Sequence, residues 1–234
     1  MKPIIAINGA SAFDRQFFTK GKVAFKAYPQ AVAAAGGVPL MVPSIHSVDE
    51  YAWLADGLLL TGSLSFAPAP AYTPLVNKME EKERPIFDSA LVLAFAKAKK
   101  PIMGVCLGLQ CINLTFGGTL KNHFKLEDGV EHMLTAHPCI DGTESIAGKL
   151  FGKEFIINSR HERRIDTLAP GLEATAWSPD GVIEEIKHES LPIWAFEWHP
   201  ERMRGDDRDP PEGPDTTPLF EWFVNTCAAV RDAE

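Results

Sequence analysis

Cys106 lies in a Gly-x-Cys-x-Gly segment that could carry nucleophilic chemistry. The apolar run Pro101 to Val105 predicts a buried strand before it, and the apolar run Leu109 to Phe116 predicts a helix after it. A strand, a sharp turn and a helix with a cysteine at the apex form the cysteine counterpart of a nucleophile elbow. At a helix N-terminus, the dipole and the unpaired N–H groups favour a thiolate.

The neighbours of Cys106 suit such a turn. Gly104 and Gly108 have no Cβ atom, so the strand and the helix can approach closely beneath the cysteine. The backbone N–H of Leu107 is placed to help hold an oxyanion. Most free cysteines only fill space in a protein interior, and we assign that role to the other three, Cys111, Cys139 and Cys227.

A histidine and a carboxylate follow the last predicted strand, Ile193 to Trp198. His199 and Glu201 are two residues apart, so in extended chain their side chains lie on the same side. The carboxylate can accept the imidazole N–H and orient the ring as the base for a thiol. We therefore predict that Cys106, His199 and Glu201 form a catalytic set.

Two other polar segments follow predicted strands, where the sites of open α/β sheets are found. Gly62 and Ser63 come directly after the third strand and offer backbone donors near Cys106, although a plain turn would look the same. The segment Ser159 to Glu162 ends another strand, which is consistent with substrate binding or with a solvated loop.

Three histidines, His123, His132 and His137, lie among acidic residues in a less regular part of the chain. No pair of them has the tight spacing of a helical or knuckle metal site. From the sequence we expect no metal and no cofactor.

The composition indicates one α/β domain of 234 residues, with 45% hydrophobic residues available for a core. A net charge of −8 argues against nucleic acid as a partner. No apolar run approaches the length of a membrane span, so we expect no membrane partner. Four scattered cysteines form no disulfide framework, which favours the cytoplasm. The chain is compatible with a homodimer.

Alternation of short apolar runs with helical patterns predicts a doubly wound α/β fold with a mostly parallel central sheet flanked by helices. The other predicted strands are 2–8, 38–42, 57–60, 155–158, 173–178 and 182–187. The other predicted helices are 28–35, 49–54, 84–100 and 219–230. Proline-rich loops are expected at 64–82, as a lid or substrate rim, and at 202–218.

The chain resembles the class I glutamine amidotransferases, and more closely the gamma-glutamyl-gamma-aminobutyrate hydrolase (gamma-glutamyl hydrolase) family. The matching segments occur in the family's order and span nearly the whole chain. They are 60–63 (Leu-Thr-Gly-Ser), 104–110 (Gly-Val-Cys-Leu-Gly-Leu-Gln), 116–120 (Phe-Gly-Gly-Thr-Leu), 158–161 (Asn-Ser-Arg-His), 178–184 (Ser-Pro-Asp-Gly-Val-Ile-Glu) and 198–201 (Trp-His-Pro-Glu).

This resemblance implies a single-domain, flavodoxin-like hydrolase that releases glutamate from small gamma-glutamyl amines, such as gamma-glutamyl-GABA or gamma-glutamyl polyamines, through a thioester. It implies these roles: nucleophile Cys106, base His199, orienting carboxylate Glu201, oxyanion-hole residues Gly62, Ser63 and Leu107, and substrate-pocket residues Gln110, Ser159, Arg160 and His161.

Two alternatives stay open. The first is a glutaminase subunit that delivers ammonia to a separate synthetase. Leu107 keeps it open, because amidotransferases have leucine after the nucleophile where the hydrolase group often has arginine. The second is a non-catalytic protein of the same fold that senses a ligand.

Overall fold

A nine-stranded mixed sheet runs through the computed structural model, which describes residues 1–14, 19–62, 73–122, 130–142, 145–206 and 208–233. The strands in these ranges are β1 (Ile4–Asn8), β2 (Ala10–Asp14), β3 (Thr19–Val23), β4 (Val38–Val42), β5 (Gly57–Leu60), β6 (Ile102–Val105), β7 (Thr119–Asn122), β8 (Thr135–Asp141), β9 (Glu154–Ser159), β10 (Arg163–Thr167), β11 (Leu172–Trp177), β12 (Ile183–His188) and β13 (Ile193–Phe196). The α-helices are α1 (Ala27–Ala34), α2 (Val48–Leu54), α3 (Thr73–Lys97), α4 (Leu107–Thr115), α5 (Ile146–Phe151) and α6 (Thr217–Asp232).

The central sheet has a parallel half and an antiparallel half. Strands β4, β1, β5, β6 and β13 lie side by side and parallel, in that order. This is the flavodoxin-like order, in which ligands bind outside the carboxyl ends of the strands. Strands β12, β11, β8 and β9 extend the sheet with antiparallel pairs. The predicted α/β fold with helices around a largely parallel centre is confirmed.

Successive side chains of the buried strands alternate between the two faces of the sheet, and each face contributes to its own hydrophobic core. Ile5 and Ile7 of β1 face the core that includes α1 and α6. Ala6, with Leu58 and Leu60 of β5, faces the opposite core, which includes α2, α3 and α4. Because both faces of these strands are covered, their sequences are nearly continuous apolar runs.

The long helix α3 corrects the sequence analysis at its N-terminal end. The chain is helical from Thr73, so residues 73–82 do not belong to the predicted loop. Pro85, the second residue of the predicted helix 84–100, lies well inside the observed one. Pro74 suggested a loop, but it is the second residue of the helix, where proline lacks only an N–H that would have no helical partner. The part of the predicted loop at 64–72 lies outside the described residues.

The less regular region after Gly118 contains secondary structure that the sequence pattern does not show. Strand β7 pairs with β10 in a small antiparallel sheet, and β8 pairs with both β9 and β11. Another small sheet joins β2 to β3. In the part of the chain that the structure describes, no helix combines the length and the apolar character needed to cross a membrane.

Two glycines let α4 lie against the sheet. A β-carbon on Gly108 would lie 2.6 Å from the carbonyl oxygen of Leu60. One on Gly104 would lie 2.8 Å from Cδ1 of Ile112 and 2.9 Å from the carbonyl carbon of Gly108. The close approach of strand and helix expected from the Gly-x-Cys-x-Gly segment is therefore confirmed.

Gly108→Ala is expected to reduce the free energy of unfolding by about 1–3 kcal/mol, because the new methyl group meets backbone atoms of β5 that cannot move aside cheaply. Denaturant unfolding measures this change. Leu114→Ala, at an exposed position on the same helix, is the control and should change the value by less than about 0.5 kcal/mol. Equal stability of Gly108→Ala and the wild type would contradict the close packing described here.

Candidate active site

Cys106 occupies a strained backbone conformation between β6 and α4. Its φ is 51° and its ψ is −106°, a region that non-glycine residues seldom adopt. Two backbone hydrogen bonds hold the turn: the Cys106 N–H donates to the Phe196 carbonyl at 2.7 Å, and the Gln110 N–H donates to the Cys106 carbonyl at 3.1 Å. Strain of this kind persists only where surrounding structure enforces it, and it clusters at functional sites.

The surroundings of the Cys106 thiol favour its protonated form. Burial raises its pKa well above the usual value, and the nearby carboxylates of Glu197 and Glu201 raise it further, while the Leu107 N–H lowers it. We expected the helix N-terminus to favour a thiolate. The correction follows from burial beside two acidic groups, which outweighs the favourable backbone N–H.

The His199 ring is oriented by the carboxylate that the sequence predicted. Its Nδ1–H donates to Glu201 Oε1 at 2.9 Å, and both side chains are buried. A neutral ring that donates through Nδ1 carries its lone pair on Nε2. Within the described residues, His199 Nε2 makes no hydrogen bond, so this lone pair is available to take a proton.

Asn158 fixes the backbone of His199. The His199 N–H donates to Asn158 Oδ1 at 2.8 Å, and Asn158 Nδ2 donates to the His199 carbonyl at 3.0 Å. The same Nδ2 donates to the Asp209 carbonyl at 2.7 Å. A buried amide thus ties the end of β9 to the segment after β13, which places the imidazole.

Gly62 lies beside two of the predicted catalytic residues, Cys106 and His199. A β-carbon at this position would lie 2.8 Å from His199 Cε1, 2.9 Å from the Tyr28 hydroxyl oxygen and 3.5 Å from Cys106 Cβ. The imidazole and the cysteine therefore flank the same point at the end of β5. Any larger residue than glycine would push the histidine ring aside.

Tyr28 is a site residue that sequence reasoning missed. Its buried hydroxyl accepts the Gly62 N–H at 2.8 Å, so this predicted oxyanion donor already has a partner. Burial raises the pKa of Tyr28 well above its usual value, and the charge of Glu201 raises it further, so the hydroxyl keeps its proton. An oxyanion would have to displace Tyr28 to use the Gly62 N–H. Ser63 lies outside the described residues.

A buried polar network supports the backbone around Gly62. Arg84 donates to the Gly62 carbonyl at 2.9 Å, to the Thr61 carbonyl, and to Thr61 Oγ1 at 3.1 Å. It pairs with Asp88 at 3.0 Å, and Asp88 accepts from Asn8 Nδ2 at 2.6 Å. Asn8 Oδ1 accepts the Thr61 N–H at 2.7 Å. The sequence contained one signal of this network. Arg84 and Asp88 are one helical turn apart, at the start of an apolar helical pattern.

Two of the predicted pocket residues, Gln110 and Arg160, bind to other side chains of the protein. Gln110 donates to Glu197 Oε1 and to the Arg163 carbonyl, the latter at 3.2 Å. Burial raises the pKa of Glu197 to about 8. Arg160 forms an ion pair with Asp209. Gln110 therefore lies at the back of the site, and Arg160 is directed to the loop after His199.

The other two, Ser159 and His161, lie in a buried cluster with His132, His137 and Glu184. The Ser159 hydroxyl lies 3.1 Å from the His132 carbonyl oxygen, and His161 Nε2 lies 3.9 Å from Glu184 Oε1. Burial, followed by the charge of Glu197, raises the pKa of Glu184 well above its usual value. Ser159, at the end of β9, and His161 are thus buried, which excludes the solvated-loop interpretation for these two residues, while Glu162 is exposed.

The other cysteines are free and buried, as expected for residues that fill space. Burial raises the pKa of Cys111 to about 12 and also raises the pKa of Cys139 and of Cys227. A cavity of about 440 Å³ opens beside Leu107, between α3 and α4, with Arg84, Leu120 and Arg163 in its walls.

Comparison with known proteins identifies relatives of the whole chain. A model of the Peptidase C26 family matches residues 3–201. Protein NtpR of Enterococcus hirae is 29% identical, over 96% of this chain and 99% of its own. The gamma-glutamyl-gamma-aminobutyrate hydrolase of Escherichia coli O157:H7 is 27% identical, over 86% of this chain and 84% of its own.

The fold also matches a solved structure. A protein from Thermoplasma acidophilum, described as a candidate subunit of GMP synthase, has a TM-score of 0.70 with this chain at 18% identity. The match covers 100% of this chain and 98% of the other. At this identity the likeness concerns the fold alone.

Arg84→Met is expected to lower the free energy of unfolding by about 3–5 kcal/mol, because Asp88 would remain as an uncompensated buried charge. Chemical denaturation measures the loss. Arg231→Met is the matched control: this arginine also pairs with an aspartate on a helix but lies at the surface, so little change is expected. Similar losses in the two variants would show that the Arg84 network does not hold the structure.

Alkylation of Cys106 by iodoacetamide should accelerate steadily from pH 6 to pH 9 without reaching a plateau, because the pKa of the buried thiol is raised. Peptide mapping by mass spectrometry follows each cysteine separately, with the buried Cys227 as the unreactive reference. A rate that is already maximal at pH 6 would mean that the resting residue is a thiolate.

Proposed function

The chain belongs to the Peptidase C26 family, a class I glutamine amidotransferase-like group, and from that premise we propose that it hydrolyses small gamma-glutamyl amines and releases glutamate. The observation that carries the proposal is that a cysteine on a strained elbow and a carboxylate-oriented histidine both lie beside Gly62. A thiol, an imidazole base and an orienting acid are the components of acyl transfer by a cysteine nucleophile.

The first half of the reaction forms a thioester. His199 Nε2 takes the proton of the Cys106 thiol as the sulfur attacks the side-chain carbonyl of the gamma-glutamyl group. The carbonyl oxygen becomes an oxyanion, to which the Leu107 N–H donates. The C–N bond then breaks, the proton held by His199 passes to the departing amine, and the gamma-glutamyl group stays on sulfur.

The second half regenerates the enzyme. His199 removes a proton from water, whose oxygen attacks the thioester carbonyl, and glutamate leaves as sulfur takes the proton back. Throughout the cycle Glu201 accepts the Nδ1–H at 2.9 Å and stabilises the imidazolium that forms when Nε2 gains a proton. The raised pKa of Cys106 suits this sequence, because the proton leaves the thiol only as the bond to carbon forms.

Sequence relationship supports the choice of substrate class. One relative across most of the chain is a gamma-glutamyl-gamma-aminobutyrate hydrolase. We assign the amine half of a gamma-glutamyl substrate to the cavity that is lined by Leu107, the residue after the nucleophile in the chain. We assign Leu107 to the oxyanion hole, with Gly62 as a second donor once the substrate displaces the Tyr28 hydroxyl.

Cys106→Ala should reduce glutamate release to background while the protein stays folded, because the thioester can no longer form. The assay is a panel of gamma-glutamyl amides that includes gamma-glutamyl-GABA, gamma-glutamylputrescine and glutamine. Cys227→Ala removes a buried cysteine from α6, which does not line the cavity beside Leu107, and should keep activity.

Wild-type rates in Cys106→Ala would contradict the mechanism. Turnover of glutamine alone, rising only when a synthetase is added, would contradict the substrate class and identify a glutaminase subunit instead. Absence of turnover, together with absence of labelling of Cys106 by a glutamine-like electrophile, would indicate a non-catalytic protein.

A further inference from the structure

Glu184 is a buried acid whose carboxylate oxygens lack hydrogen bonds. It is 0% exposed, and neither oxygen has a hydrogen-bond partner among the described residues. Leaving a buried carboxyl group without hydrogen bonds is costly, and buried charges are normally paired or bound to metals. The surroundings of this carboxylate therefore require an explanation.

Three histidine nitrogens converge on Glu184 Oε1. His132 Nδ1 lies 3.5 Å away, His137 Nε2 lies 3.6 Å away and His161 Nε2 lies 3.9 Å away. These separations are longer than good hydrogen bonds. They are close to the spacing of about 3.3 Å between ligand atoms in a tetrahedral zinc site with bonds of about 2.0 Å.

The opposite nitrogen of each ring faces an acceptor, which directs the lone pairs inward. His137 Nδ1–H donates to the Pro138 carbonyl at 2.9 Å, and His161 Nδ1–H donates to the Arg163 carbonyl at 2.9 Å. His132 Nε2 lies 3.3 Å from Asp180 Oδ2. Metal-binding histidines usually donate their second N–H to a carbonyl or a carboxylate in this way.

Two of the inward nitrogens are also close to each other. His137 Nε2 lies 3.1 Å from His132 Nδ1, and Ser159 Oγ lies 3.2 Å from the same Nδ1. With their outer nitrogens protonated, the two facing imidazole nitrogens both carry lone pairs. A cation between them would relieve this repulsion and supply Glu184 with a partner.

We propose that His132, His161 and Glu184, with His137 beside them, bind a divalent cation of the zinc type. Ligand atoms of the first three all lie within 4.8 Å of one another, and imidazole with carboxylate is a donor set that suits zinc. From the sequence we expected no metal, because the histidines are not tightly spaced. The fold brings together ligands from the segment before β8, the segment after β9, and β12.

The site adjoins the catalytic residues without including them. His161 Nδ1 lies 3.5 Å from Glu197 Oε1, which accepts from Gln110, a residue one helical turn beyond Cys106. A bound cation would hold the segment around His161 in place against Glu197. Its role is therefore structural support of the wall behind the nucleophile, and the proposal stands independently of the reaction proposed above.

The test is metal content after the purified full chain is incubated with zinc sulfate and the free metal is removed by gel filtration. We expect about one zinc per chain by elemental mass spectrometry, and a tetrahedral visible spectrum when cobalt replaces zinc. Glu184→Gln and His161→Ala should lose this binding. Asp180→Asn changes a group behind His132 that also accepts from the Ser178 hydroxyl, and it should weaken zinc affinity by roughly 10–100-fold.

Two control variants separate this site from other zinc-binding groups. His46→Ala removes a histidine distant from the cluster in sequence and should keep one zinc per chain. Cys106→Ala should also keep it, which excludes binding by the thiol and imidazole of the catalytic set. Three results would each overturn the proposal. The wild type does not retain zinc; the folded variants Glu184→Gln and His161→Ala retain it; or Cys106→Ala is the variant that loses it, alone among those tested.

Discussion

The positive φ of Cys106 is the constraint on which the site depends. A cysteine with φ of 51° is unfavourable, and it persists because β6 and α4 are held close together beneath it. Gly104 and Gly108 allow that closeness, since any β-carbon there would overlap neighbouring atoms. The elbow places Cys106 at the carboxyl edge of the sheet, where Gly62 follows β5 and His199 follows β13.

Polar groups that are almost wholly buried give this edge its rigidity. Arg84 and Asp88 hold the backbone at the end of β5, while Asn158 holds the backbone of His199 from the antiparallel half of the sheet. Both sets cross between elements that are distant in sequence. Satisfied networks of this kind fix a single geometry, because any shift would leave buried polar groups unpaired.

The antiparallel half contributes more than an extension of the sheet. Through Glu197, the cluster around His161 contacts Gln110 on the helix that begins after the nucleophile. A cation held by the cluster would thus steady the helix from its far side. The two proposals share this wall but no ligand or catalytic atom.

Features of the structure that depend on short sequence patterns were predictable from the sequence. The strands at 38–42 and 57–60 were predicted with the bounds observed, because each is a short apolar run ended by a change in composition. Strand β5 is buried throughout, as a central parallel strand should be, whereas β4 lies at the edge of the sheet and is partly exposed. The elbow was predictable from Gly104, Cys106 and Gly108. The contact of His199 with Glu201 was also predicted, but the chain reaches it through a 3-10 turn at Pro200–Arg202 and not through the extended conformation that we expected.

Features that depend on distant contacts were not predictable in the same way. Nothing near Tyr28 in sequence indicates that its hydroxyl meets Gly62, and nothing near His132 indicates that it meets His161 and Glu184. A thiolate was expected at Cys106 because its position before a helix is visible in the sequence, whereas its burial beside Glu197, which raises the pKa of the thiol, is not. The helix from Thr73 was missed because the proline in its first turn resembled a loop signal.

The central claim is that sulfur, imidazole and carboxylate act together on an acyl group. Its most direct test is acid quenching of the enzyme during turnover of a gamma-glutamyl amide, followed by peptide mass mapping. The account predicts one gamma-glutamyl group attached through a thioester to the peptide that contains Cys106, and none on the peptides that contain Cys139 or Cys227. Continued glutamate release with an unmodified Cys106 peptide, under conditions that trap thioesters in a known cysteine hydrolase, would contradict it.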